Sequence, residues 1–282
     1  MSDIQATVFK YDPSVDASPT YKEYTVPWRD SITVLEVLRY IHEEFEPASF
    51  DYSCRGASCG LCAMKINGTP AYACATLVQE GDELTIEPLD RFPVIRDLIV
   101  DKSAVRDRML STAPQFIRDT PMEDPITMKP EAFLTTAILQ QCRECMICQS
   151  VCPSIADNGF DNYAGPYIMT MLASRYFDER EGQADVRLKT AVHEGLFNCI
   201  LCGTCTQVCP KGNTMKLEDY EYSFIDHVKY FTKMREDAQA AGLEPQSETA
   251  QRPLPEELFS LELQTEVEVV TDIQKATEDE KE

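Results

Sequence analysis

The chain has 282 residues, 43% of them hydrophobic, enough to bury about two modest cores. Its formal charge of −22 argues against nucleic acid as a partner, since a phosphate backbone is gripped by an excess of Lys and Arg. No apolar run approaches the roughly 18 residues of a membrane span, and Met1-Ser2-Asp3-Ile4 opens no secretory signal, so the expected setting is soluble and intracellular, with any membrane role passing through a partner.

Residues 1–103 read as a small α+β module. β-formers cluster over Ile4 to Lys10 and Tyr21 to Val26. A helix follows, capped by Ser31 or Thr33, with Val34, Leu35, Val37, Leu38 and Ile41 as its core face and Pro47 beyond its end. Cys62-Ala63-Met64-Lys65-Ile66 runs into Asn67-Gly68, a hairpin signal, and Leu84 to Glu87 reads as a further strand. Inside this module lie Cys54, Cys59, Cys62 and Cys74. CxxxxCxxC with a distant fourth cysteine is the plant-type spacing that holds a 2Fe-2S cluster. Gly56 and Gly60 are expected where the loop backbone passes close to the sulfides.

Residues 104–240 read as helical, with Pro114, Pro121, Pro125 and Pro130 punctuating the connection. Helices are expected over Glu131 to Gln141, Pro166 to Arg175 and Ala184 to Glu194, the last closed by Gly195. Two cysteine runs share one pattern, CxxCxxCxxxCP: Cys142, Cys145, Cys148, Cys152-Pro153 and Cys199, Cys202, Cys205, Cys209-Pro210. In a regular helix Cys142 and Cys148 would lie about 9 Å apart along the axis, too spread to grip one cluster, so the segment must coil into a loop. This run is the bacterial ferredoxin signature, in which the fourth cysteine of each run serves the other cluster. The equal offset from Cys142 to Cys199 and from Cys152 to Cys209 marks an internal repeat.

Residues 241–282 carry twelve acidic and three basic side chains, the composition of a flexible, solubilising tail. Leu258-Phe259-Ser260-Leu261 stands out as a docking segment within it.

Disulfides and zinc compete with iron for these twelve cysteines. A chain this long needs no disulfide scaffold, and zinc sites rarely use a three-residue repeat closed by CxxxCP. His42, His193 and His227 lack the spacing of a metal or catalytic pair, and no nucleophile, carboxylate pair or phosphate loop accompanies them. Met128, Met146, Met169 and Met171 read as packing residues.

Ser53-Cys54-Arg55-Gly56, Cys59-Gly60-Leu61-Cys62, the run from Phe92 to Asp101, Cys142-Arg143-Glu144-Cys145 and Cys209-Pro210-Lys211-Gly212 together resemble the iron-sulfur subunit of succinate dehydrogenase and fumarate reductase. The resemblance spans roughly residues 4 to 220. It implies an N-terminal β-grasp 2Fe-2S ferredoxin domain, then an all-α ferredoxin-like domain with two cubane-type clusters. It implies an FAD-binding partner that interconverts succinate and fumarate, a membrane anchor or cysteine-rich anchor-like subunit, a quinone nearby, and a place on the cytoplasmic side of the cytoplasmic membrane. It assigns Cys54, Cys59, Cys62 and Cys74 to the 2Fe-2S cluster and Cys142, Cys145, Cys148 and Cys209 to a 4Fe-4S cluster. Cys152, Cys199 and Cys205 then hold a third.

The chain departs from the family pattern twice. Relatives with a 3Fe-4S third cluster lack a cysteine at the position of Cys202, so a second 4Fe-4S cluster is expected here, lower in potential because a fourth thiolate adds negative charge. The tryptophan and histidine that many relatives place near the quinone are absent: Ser154 leads to Ile155, Ile200 follows Cys199, and Trp28 lies far off in the first module. The competing function is an iron-sulfur adaptor for another flavin dehydrogenase, hydroxyacid-oxidising or heterodisulfide-linked.

Overall fold

The computed structural model describes residues 3–112, 115–118, 128–211 and 225–244. Its N-terminal part is a mixed five-stranded sheet crossed by one helix. β1 (Ile4–Lys10) pairs antiparallel with β2 (Thr20–Val26). Its alternation buries Ile4, Ala6 and Val8 beneath α1 (Val34–Glu44). Thr33, not Ser31, caps that helix: it accepts from the Glu36 amide while Glu36 reaches back to the Thr33 amide, a complete capping box. The hairpin β3 (Ala63–Ile66) and β4 (Thr69–Tyr72) turns at Asn67-Gly68, both at positive φ. β5 (Glu83–Glu87) then inserts parallel to β1 and antiparallel to β3, giving the order β2-β1-β5-β3-β4.

A two-stranded ribbon, β6 (Val94–Arg96) and β7 (Ile99–Val100), follows. Between its strands the buried Asp97 accepts from Lys10 Nζ at 2.8 Å and from the Tyr11 and Ser49 amides at 3.0 and 2.9 Å. One carboxylate thus pins the ribbon to β1 and to the loop before the cysteines.

The rest is helical: α2 (Ser103–Ser111), α3 (Pro130–Leu139), α4 (Ile147–Ser150), α5 (Pro153–Asn158), α6 (Gly165–Tyr176), α7 (Ala184–His193), a 3-10 turn over Leu196–Asn198, α8 (Thr204–Val208) and α9 (His227–Ala240). Nearly all of α6 is buried, and α2, α3, α4, α7 and α9 pack around it. Gly165, at φ 88°, makes room for Gln149, whose side chain lies 2.4 Å from where a Cβ would stand. Gln149 donates to the Ala164 carbonyl at 2.8 Å and accepts from the Tyr167 amide at 3.3 Å. The two halves have separate hydrophobic cores, yet Ile147 of α4 is buried in the first. The mixed sheet followed by a helical region matches the α+β class expected from the residues. Most of the acidic tail, with Leu258 to Leu261, lies outside the described residues.

Candidate cluster sites

Left-handed backbone shapes all three cysteine groups. In the first, Arg55, Ala57 and Gly60 have φ of 55°, 53° and 76°. The repeat carries over to the dihedrals of the other two: Glu144 and Met146 at 53° and 69° answer Leu201 and Gly203 at 54° and 81°. Each left-handed non-glycine residue costs about 1–2 kcal/mol. Such turns curl the first two cysteines of each run into a loop, with the third at the start of α4 or α8, and swing amides into its concave side. The Leu201 amide reaches Cys199 Sγ at 3.4 Å, and the Glu144 amide serves Cys142 in the same way.

The first loop is a nest of donors. Amides of Gly56, Ser58 and Cys59 reach Cys54 Sγ at 3.4, 3.3 and 3.2 Å, and the Ala57 amide reaches Cys74 Sγ at 3.4 Å. They pull the exposed Cys54 thiol down to about 6, whereas burial pushes Cys62 up to about 12. Gly56 contributes its N–H but no special geometry, since its φ is ordinary and a Cβ would touch only the Cys54 carbonyl at 3.8 Å. Gly60 is needed for another reason than closeness to sulfide. A Cβ there would stand 2.8 Å from Cys145 Cβ and 3.0 Å from the Arg143 carbonyl, so the first loop lies directly on the second.

The two runs interleave. One cavity is lined by Cys142, Cys145 and Cys148 of the first run with Cys209 of the second. Another is lined by Cys199, Cys202 and Cys205 with Cys152 of the first run. The sulfurs ring a space rather than meeting at a point, and among the described residues no three ligating side chains converge as a single ion requires. Four thiols ringing one space in this way suit an iron-sulfur cube better than zinc. Burial pushes Cys142 and Cys205 up to about 12 and raises Cys148 and Cys152, so these groups need a cation's charge before they become thiolates.

Pro153 does more than end a loop: it is the first residue of α5, whose N-cap is Cys152. The amides of Ser154 and Ile155 at that helix start face the Cys152 sulfur. Two cations bind the junction between the first two sites. Lys211 Nζ donates to the Ala57 carbonyl at 3.2 Å, and the largely buried Lys102 Nζ to the Cys145 carbonyl at 3.4 Å. Cys148 and Cys205 face each other electrostatically across the packed α4 and α8.

Three tyrosines at the sites carry no motif of their own. Tyr72 and Tyr167 line the first cavity and Tyr163 the second, all buried. Their only sequence cue is nearness to a motif, as Tyr72 precedes Cys74 by two positions. The histidines fill structural roles. His42 Nδ1 accepts from the Ala48 amide, His193 lies beside Glu194, and His227 contacts Thr206 and is pushed down to about 4 by burial. Trp28 donates to the Val78 carbonyl, far from the third site, and Ile200 beside that site is exposed. Met146 and Met169 are buried in the second core, with Met171 packed against it.

A donor-rich loop on a mixed sheet, beside two interleaved four-cysteine cavities in a helical bundle, defines a multi-cluster ferredoxin-type protein. The 2Fe-2S iron-sulfur cluster binding domain family matches residues 5–107, and the 4Fe-4S dicluster domain family matches residues 138–213. The fumarate reductase iron-sulfur subunit of Mycobacterium tuberculosis is 36% identical over 220 residues, covering 75% of this chain and 88% of that protein. One of the subunits of the fumarate reductase (CoM/CoB) of Methanothermobacter marburgensis is 37% identical over 209 residues; the match covers 74% of this chain but only 41% of that longer protein. A chain of the Mycobacterium smegmatis Sdh1 complex in the apo form superposes with a TM-score of 0.70 at 26% identity, over 87% of this chain and 99% of that one. The chain belongs to the family of succinate dehydrogenase and fumarate reductase iron-sulfur subunits.

Proposed function

We propose that the chain is the electron-transfer subunit of a succinate:acceptor oxidoreductase or fumarate reductase. It relays electrons one at a time between an FAD-containing subunit and a membrane anchor or quinone, and no catalysis is expected from it alone. The observation that carries this reading is the continuity of the three cysteine sites. The first loop packs on the second at Gly60 and Cys145, and the second meets the third through Cys148 and Cys205. Cys54, Cys59, Cys62 and Cys74 hold a 2Fe-2S cluster, and Cys142, Cys145, Cys148 and Cys209 a 4Fe-4S cluster. Residues 1–103 and 104–240 form the two corresponding domains.

Each cluster supplies a site that stores and passes a single electron. The chain holds the centres close and places cations at the first junction. Cys202 lines the same cavity as Cys152, Cys199 and Cys205, which supports a 4Fe-4S rather than a 3Fe-4S third cluster; Cys202→Ser is expected to change its iron count and spectrum. The exposed Ile200 in place of a family histidine, with the likeness to a CoM/CoB fumarate reductase, supports a cysteine-rich anchor-like partner and an electron source other than ubiquinone. No helix among the described residues is long and apolar enough to cross a membrane, so attachment at the cytoplasmic face comes from partners.

The test is fumarate-dependent oxidation of a reduced viologen, and succinate-dependent dye reduction, by the complex captured anaerobically with this chain. Activity with either dicarboxylate is expected. A flavin-containing complex inert to both would overturn the assignment in favour of another flavin dehydrogenase.

A further inference from the structure

Among the described residues, four buried hydroxyls have no partner at standard hydrogen-bond geometry: Tyr72, Thr136, Tyr163 and Tyr167. All three phenols line a cysteine cavity. Leaving a buried hydroxyl without a partner costs about 1–3 kcal/mol, and phenylalanine would fill the same space without that cost. Something in each cavity therefore accepts the proton.

Several other polar side chains on the two walls have partners of their own. Thr170 donates to the Pro166 carbonyl at 2.7 Å, Ser154 accepts from the Ile200 amide at 3.1 Å, and His227 contacts Thr206 at 3.3 Å. The side chains of Met146 and Ile225 on one wall, and of Val228 and Phe231 on the other, are apolar. Sulfur is the acceptor that both walls share. Tyr72 faces Cys145, Cys209 and Cys142, and Tyr163 faces Cys199, Cys152 and Cys205. Tyr167 differs, because the Glu144 carboxylate stands before it ahead of Cys142 and Cys148.

We propose that Tyr72 and Tyr163 each donate a hydrogen bond to the sulfurs of the middle and third clusters respectively, and thereby raise the reduction potentials of these two centres. The proposal rests on the cluster reading above. An O–H pointed at sulfur stabilises the reduced, more negative form of a cluster more than the oxidised one. At the third site this opposes the fourth thiolate of Cys202, which pulls the potential down. At the middle site the donor comes from β4 of the first module, on the strand that leads to Cys74, so one strand serves two cluster sites. Tyr72 and Tyr163 are positioning residues: they set the energy of the electron without carrying it.

The test is an EPR-monitored redox titration of the full-length, cluster-loaded chain and of Tyr72→Phe, Tyr163→Phe and Tyr167→Phe, with iron content measured first. Tyr72→Phe is expected to lower the middle potential alone and Tyr163→Phe the third alone. Each shift should be on the order of a tenfold change in the reduction equilibrium, which is 59 mV for a one-electron couple. Tyr167→Phe should move neither by as much. Proton ENDOR of the reduced middle cluster should show an exchangeable coupling that disappears in D2O and in Tyr72→Phe. Should a phenylalanine variant lose its cluster, 3-fluorotyrosine at the same position decides, since the more acidic phenol is a stronger donor and must raise the potential. Unchanged potentials and couplings at wild-type iron content would overturn the proposal and leave the clusters standing. A wild-type chain without cluster iron would overturn both readings.

Discussion

At Cys54, three backbone amides pull an exposed thiol down to about 6, whereas at Cys142 and Cys205 burial pushes the thiol up to about 12. The first loop offers one sulfur, Cys54, that is electrostatically ready for a cation, beside the reluctant Cys62, and is carried on a sheet with its own hydrophobic core. In the two cavities burial makes Cys142, Cys148, Cys152 and Cys205 reluctant to ionise, and the sulfurs come from two runs far apart in the chain. Cluster binding must therefore drive deprotonation there and tie the runs together, so loading and folding are one process in the helical half. In the N-terminal half they are separable.

The largest test of this contrast pairs Cys209→Ala with Cys54→Ala. Cys209→Ala removes the crossing ligand and is expected to give insoluble protein, whereas Cys54→Ala should stay soluble and lose only the 2Fe-2S signal; soluble yield, circular dichroism and iron content report both. A stable Cys209→Ala chain lacking one cluster would break the comparison.

Gly60→Ala probes the seam. The added methyl meets the Cys145 Cβ at 2.8 Å from a backbone φ of +76°, and the expected cost is about 2–4 kcal/mol. Electron transfer from the first cluster to the second should slow in stopped-flow absorbance. A variant as stable and as fast as wild type would mean that the loops do not pack here.

Glu194→Gln tests the helical half away from the clusters. Burial alone would raise the Glu194 pKa, but the His193 ring and the Arg108 guanidinium outweigh it and hold it below its ordinary value of 4.5. A folded pKa below the unfolded one adds stability that is present above pH 4.5 and fades as pH falls through the folded value. Glu194→Gln is expected to cost about 2 kcal/mol at pH 7 and to flatten that acid limb, read as the rate at which visible absorbance bleaches on unfolding. Equal pH profiles for variant and wild type would contradict the pairing. Smallest, Thr33→Ala should cost about 1 kcal/mol through the lost cap, seen as a lower unfolding temperature of the N-terminal half with all cluster signals intact.

Much of this is legible in residue order. β1 lies where its β-formers cluster, α1 where its apolar face and cap predict, and Asn67-Gly68 turns the hairpin, because these signals are local. The cysteine groups are legible because ligand spacing is local too, while the crossing of Cys152 and Cys209 comes from the signature rather than from periodicity. The requirement for Gly60 is visible but its reason is not, since Arg143 and Cys145 are remote in sequence. Gly56 suggests a geometric necessity and is only a donor. Asp97 looks like one letter of a motif, and only the fold shows it holding β1, the ribbon and the Ser49 loop together. The tyrosines cannot be found in residue order, because which phenol ends up buried without a partner is a property of packing.

Mössbauer and EPR spectra of the anaerobically purified, 57Fe-enriched chain show most directly whether twelve cysteines in three groups, two of them interleaved, build one 2Fe-2S and two 4Fe-4S clusters in series. Iron in the proportions of one rhombic and two cubane clusters is expected, with no 3Fe-4S signal in the oxidised state. A 3Fe-4S signal at full occupancy, or two clusters instead of three, would contradict that assembly.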